Sequence, residues 1–174
     1  MAQTNLLSTA FSFIAYIILQ VVFLKNVALF DIAFCFVYIS FILLLPIDIN
    51  RFTLLVTSFF VGLTIDVFYD SLGIHAAACV LIAYLRTYII NLLQPSGGYD
   101  MNAHPTIQEL GFQWFVTYSF LLIFIHHLCF FILEASNFEL IIHSLSRALA
   151  SSLFTLSAFI ILQFLLYFKR KRAL

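Results

Sequence analysis

Apolar residues fill this chain in long runs broken by short polar stretches. The runs are Leu6–Leu24, Ile32–Leu45, Phe52–Val67, Ile74–Leu93, Phe112–Leu133 and Leu149–Phe168. A membrane-crossing helix needs about 20 mostly apolar residues, because the hydrocarbon layer is about 30 Å thick and each helical residue rises about 1.5 Å. The second and third runs are shorter than that. They cross only by drawing on flanking residues or by thinning the bilayer locally. The pattern predicts six transmembrane helices in one domain over residues 1–174. If the second and third runs instead formed one re-entrant hairpin, four crossings would remain.

The breaks carry the turn chemistry. Pro46-Ile47-Asp48-Ile49-Asn50-Arg51 is a tight polar turn in which Pro46 ends a helix. Asp66–Gly73 holds two acids and a glycine, and Gln94–Gly111 holds the breaker cluster Pro95-Ser96-Gly97-Gly98 with Pro105 beyond it. In Glu134–Arg147 the residues Phe138, Ile141, Ile142 and Leu145 recur at helical spacing, as in a helix lying at the interface. None of these loops is long enough for a separate soluble domain.

Composition turns that pattern into a class. Hydrophobic residues make up 64% of the 174 and charged residues 9%, with mean hydropathy +1.10. Soluble domains are about a quarter charged, so lipid must be the solvent for most of this surface. The formal net charge is zero, which gives no field to attract nucleic acid. Lys169, Arg170, Lys171 and Arg172 form a basic run. With six crossings both termini share a side, and the positive-inside rule places that side in the cytoplasm. The same run favours contact with anionic lipid. The first apolar run lacks a basic leader and a small-residue cleavage site, so it is expected to stay as a helix. Cys35, Cys79 and Cys129 sit inside apolar runs without CxxC spacing and read as small buried hydrophobes.

Polar groups at membrane depth are the places to look for function. Asp66, Asp70 and His75 form the densest group. On a continuing helix the two acids would share a face, and with His75 they are either a metal or acid/base set or a structured turn. In the second case Gly73 supplies the bend, and Asp66 or Ser71 caps a helix N-terminus. Arg86 either snorkels toward the cytoplasm beside Tyr84 and Tyr88 or is buried against an acid such as Asp48. His126 and His127 point about 100° apart and cannot readily share a metal. An interhelical hydrogen bond explains one of them, and no further ionisable group stands out at their depth for a proton relay. Small residues collect at Ala76, Ala77, Ala78, Cys79 and Ala83, and at Ala148-xxx-Ser152. They serve either packing within the bundle or docking of a partner's helix. The chain has no P-loop, GxGxxG, GxSxG or CxxC.

The run Gly62-Leu-Thr-Ile-Asp66-Val-Phe, then Leu72-Gly73-Ile-His75-Ala76, then Ala83-Tyr84-Leu85-Arg86 resembles the bacterial rod-shape-determining protein MreD family. Asp31 with Tyr38 resembles that family's acid-then-tyrosine second span, with Phe30 where a proline often stands. Asp70 lies near where many members carry a glycine, and the turn is about one residue shorter. The resemblance implies an all-α membrane fold, a compact bundle of six transmembrane helices similar to the substrate-binding subunits of energy-coupling-factor transporters. It also implies a non-enzymatic subunit of the cell-elongation machinery, without cofactor or metal. Such a subunit would bind a bitopic MreC-like protein, and through it the actin-like MreB and a glycosyltransferase–transpeptidase pair. The fold likeness supplies the competing expectation of a small-molecule-binding transporter subunit, with His75, Asp66, His126 and Glu134 around its cavity.

Overall fold

A computed structural model describes residues 6–30, 32–100, 103–135 and 141–172. Helix α1 (Leu6–Ile18) continues through a π-helical turn, Leu19–Leu24. A two-residue hairpin follows, β1 (Ala28–Leu29) paired antiparallel with β2 (Ala33–Phe34). Then come α2 (Ile39–Leu43), α3 (Arg51–Tyr69), α4 (Ile74–Leu92), α5 (Ile107–Leu110), α6 (Phe112–Ala135) and α7 (Ile141–Arg172). Five of these segments, Leu7–Leu24, α3, α4, α6 and Ile142–Leu165 of α7, are long and apolar enough to cross a membrane. The chain is a multi-pass, mainly helical membrane protein. Helix α4 packs between α3 and α6, and α7 packs on α6 and on β2.

The ends of the long helices are set by local chemistry. Asn50 precedes α3 in an extended conformation, and its side chain accepts from the Phe52 N–H at 2.8 Å, which satisfies one of the free donors of the first turn. The third run, expected to be short, gains Arg51 and Phe68–Tyr69 and becomes a 19-residue helix. It therefore makes no hairpin with the second run. It stops at Asp70, whose φ of 54° is left-handed, and Gly73 (φ 93°) turns the chain into α4. Isoleucines 141 and 142 and Leu145, expected in an interfacial helix, belong to the opening turns of α7, while Phe138 lies outside the described residues.

The second run departs most from expectation. Ile32–Leu45 forms no crossing helix. Its longest helical piece is the five residues of α2, about 8 Å of rise. The run is nevertheless the most buried stretch of the chain, with Cys35, Phe36, Val37, Tyr38, Ile39, Ile42 and Leu43 all at 2% exposure or less. It threads the interior. Tyr38 meets His75 and His126, and further along the Leu45 carbonyl meets Arg86. His75 and Arg86 are eleven residues apart on α4, about 16 Å. Irregular backbone at membrane depth is tolerated only inside protein, because lipid offers its N–H and C=O groups no partner. Apolar composition alone cannot separate such a strand from a helix.

Candidate functional site

The threaded run needs hydrogen-bond partners, and polar side chains of the surrounding helices supply them. Ser151 Oγ on α7 accepts from the Phe34 N–H and Thr155 Oγ1 from the Phe36 N–H, both at 3.0 Å. Gln20 acts as a side-chain substitute for a neighbouring strand. Its Nε2 donates to the Cys35 carbonyl at 3.0 Å, and its Oε1 accepts from the Tyr38 N–H at 3.3 Å. Gln20 lies in the π-helical turn and is fully buried. An extra residue in the helical turn re-aims the side chains that follow.

At the other end of the run stands Arg86, 1% exposed. Its Nε donates to the Tyr118 hydroxyl at 2.8 Å, and its Nη2 donates to the Leu45 carbonyl and, at 3.3 Å, to that of Pro46. The Tyr118 hydroxyl in turn donates a hydrogen bond to the Leu43 carbonyl at 2.9 Å. The planar fork of a guanidinium suits such simultaneous donation. Arg86 therefore neither snorkels nor pairs with Asp48. Among the described residues the one ion pair is Arg147 with Glu134, 3.2 Å apart. Tyr84 is half exposed and turned to the bundle surface, its hydroxyl 3.2 Å from that of Tyr88. His104 reaches the Leu44 carbonyl through Nδ1 at 3.2 Å. Tyr99 and Trp114 tie the α4–α5 loop down, the Tyr99 hydroxyl donating to the Ile90 carbonyl at 2.7 Å and accepting from the indole at 3.1 Å. Burial raises the Tyr99 phenol above its usual range, and the indole hydrogen bond opposes that.

The Asp66–His75 turn is a capping device. Asp66 Oδ1 accepts from the His75 N–H at 3.0 Å and from Ser71 Oγ at 2.6 Å, and Oδ2 accepts from the Ala76 N–H at 2.8 Å. Gly73 at the N-cap has no side chain to do this, so the last turn of α3 caps α4. The negative carboxylate also complements the positive end of the α4 dipole. A Cβ on Gly62 would stand 2.5 Å from the Ala76 Cα, so only glycine allows this approach. Asp70 is exposed and beyond the helix end. The helix does not continue through Asp70, so the alternative in which Asp66 and Asp70 share a face does not form, and the structured turn does. Among the described residues no three His, Cys, Asp or Glu side chains are placed to hold a metal ion.

Between the cap and the clamp lies a buried cluster. The Tyr38 hydroxyl is 2.8 Å from both His75 Nδ1 and His126 Nε2, with the Cys79 Sγ 3.9 Å away. Among the described residues His75 Nε2 and His126 Nδ1 have no hydrogen-bond partner. His127 points elsewhere: Nδ1 donates to the Ile123 carbonyl at 2.9 Å, and Nε2 lies 3.4 Å from Thr155 Oγ1. The interhelical hydrogen bond expected of the pair is present, and the adjacent histidines diverge as helical geometry requires. No ionisable partner at the depth of His126 stood out along the chain. His75 is that partner, brought there by the fold from 51 residues away.

Of the residues singled out from sequence, Tyr38, Gly62, Asp66, Gly73, His75, Ala76 and Arg86 join this lattice, whereas Asp31 lies outside the described residues. Ala76, Ala83, Ala148 and Ser152 are 4%, 1%, 0% and 0% exposed, so their small side chains serve packing within the bundle rather than an open face. Gln20, Tyr118 and Thr155 were missed, and Ser151 was read only as one of the small residues of the last span. Gln20, a lone amide in an apolar run, was the one carrying a visible signal. Compared with family models, curated proteins and solved structures, the chain matches none.

Proposed function

We propose that this chain is a non-enzymatic scaffold subunit of a bacterial rod-shape, lateral-wall synthesis complex, similar to the MreD family, that binds a bitopic MreC-like partner in the cytoplasmic membrane. The observation that carries this reading is how the membrane-depth polar groups are used. Gln20, Asp66, Arg86, Tyr118, Ser151 and Thr155 all bond to the chain's own backbone. Their chemistry is spent on holding one rigid shape, which suits a part that fixes the arrangement of its partners. The residues that carry the family resemblance, from Gly62 to Arg86, are among those holding it. In this reading the threaded second run counts as a sixth, non-helical crossing. Both termini then share a side, and the Lys169–Arg172 run sets that side as cytoplasmic.

The test is co-purification with an MreC-like bitopic protein from the same cell, together with depletion of this chain in a rod-shaped host. Near-stoichiometric capture and rounding of depleted cells are expected. Unchanged shape with no capture would sink the proposal. A second reading, a small-molecule-binding transporter subunit, is favoured by the two unpartnered imidazole nitrogens of His75 and His126. Against it, Asp66 is occupied in capping and Glu134 in its pair with Arg147. Saturable binding of a vitamin or metal ion to the purified protein would favour this second reading.

A further inference from the structure

A cavity of about 430 Å³ lies away from the lattice, between α1, the end of α2 and α7. Only 11% of the Leu7–Leu24 stretch is buried, against 33–44% for the other crossing helices. Helix α1 leans on the bundle mainly through Phe13 and Tyr16 against Phe41, with ring centroids 5.6 and 6.5 Å apart, and through Gln20.

These contacts also fix its direction. Gln20 meets Cys35 and Tyr38, and Phe13 and Tyr16 meet Phe41, so the first turns of α1 lie beside Leu44–Pro46. Helix α7 follows the same order, with Ser151 at Phe34, Thr155 at Phe36, and Leu162 and Leu165 in the cavity wall. The polar lining residues Ser8, Thr9, Ser12 and His104 therefore collect at the Pro46 end. The deeper wall includes Ala15, Leu19 and Phe41. Helix α7 continues past Leu165 toward Lys169-Arg170-Lys171-Arg172, and four residues of helix are about 6 Å of rise. One end of the groove is thus polar and lies toward the end of α7 whose sequence carries the basic run, and the other is apolar.

We propose that this groove holds one acyl chain of an anionic phospholipid, with its phosphate at the Ser8–Ser12 mouth next to the basic end of α7. The volume is in the range of small-ligand sites, roughly 300–1,000 Å³. The charges select an anionic headgroup. The acyl chain would rest on Leu44 and Leu45, whose carbonyls bond to His104 and Arg86. The lipid would thereby complete the cover over the threaded run.

The test is native mass spectrometry of the protein released from nanodiscs made of equal parts phosphatidylglycerol and phosphatidylcholine of one acyl length. Wild type is expected to retain one phosphatidylglycerol per chain, preferred roughly tenfold over phosphatidylcholine. Ala15 is exposed, so Ala15→Phe fills the groove at little cost to the fold, and Ser12→Leu blocks its mouth independently. Either variant is expected to lose the lipid several-fold. Replacing Lys169, Arg170, Lys171 and Arg172 together by Gln should keep a lipid but bring the ratio of the two lipids to about one. Equal retention of both lipids by wild type, or undiminished phosphatidylglycerol in both groove variants, would overturn the proposal. So would a wild type that retains no phospholipid, the outcome if a partner's helix fills the groove.

Discussion

Gly62 and Ala76 bring α3 and α4 together backbone to backbone: a Cβ on Gly62 would stand 2.5 Å from the Ala76 Cα and 2.6 Å from the His75 carbonyl oxygen. The atoms in the way belong to main chain, which cannot swing aside as a flexible side chain does. Gly62→Ala should therefore push the helices apart and cost at least the 1–3 kcal/mol typical of overpacking. Thermal unfolding in detergent would read this as a lowered midpoint, and a midpoint equal to wild type would refute the close approach.

Asp66 holds the same junction by hydrogen bonding. Asp66→Ala frees the His75 and Ala76 amides and should cost about 1–2 kcal/mol, as lost helix caps do. Asp66→Asn keeps one acceptor oxygen and should fall between. Hydrogen exchange at the His75 and Ala76 amides is the direct measurement. Unchanged protection in the alanine variant would show that the carboxylate does not cap α4.

Arg86 separates two physical roles by a single substitution. A snorkelling cation would be replaced by lysine without loss. A fork that serves the Leu45 and Pro46 carbonyls and the Tyr118 hydroxyl would not, because an ammonium lacks the planar geometry. Arg86→Lys is expected to destabilise, and Arg86→Met to do so more, by about 2–4 kcal/mol, since it strands buried acceptors. Reactivity of a cysteine placed at Ile47 should rise in both variants as the run loosens. Full stability of Arg86→Lys would contradict the clamp.

The Tyr38 hydroxyl has one proton to give to two imidazoles. If it donates to one and accepts from the other, His75 Nδ1 and His126 Nε2 must be in opposite protonation states. Nitrogen-15 spectra of labelled histidine should show one protonated and one bare nitrogen facing Tyr38, and Tyr38→Phe should erase the difference. Two protonated nitrogens, with the hydroxyl turned to Cys79, would be the contrary result.

The readings that survived from sequence to structure rest on local physics. Asp66 capping the next helix, with Gly73 supplying the bend of the α3–α4 turn, is a short-range feature whose partners lie within ten residues. The readings that changed depend on distant partners. Arg86 was assigned to solvent or an acid because the carbonyls it serves are 40 and 41 residues away. For the small residues Ala148 and Ser152 a partner's helix stood as the alternative to packing within the bundle, and their burial against the chain's own helices favours the packing.

Sequence by itself determined the solvent. With 64% hydrophobic and 9% charged residues, no arrangement of this chain hides its apolar surface from water, so it must live in lipid whatever its topology. Tertiary structure alone decided what Ile32–Leu45 would be. Hydropathy sums apolar area and is blind to hydrogen bonding, and an apolar run becomes a helix in lipid by default because a helix satisfies its own backbone. Here Gln20, Arg86, Tyr118, Ser151 and Thr155 take over that duty from positions 15 to 119 residues away, and the run is released to thread the core as irregular chain.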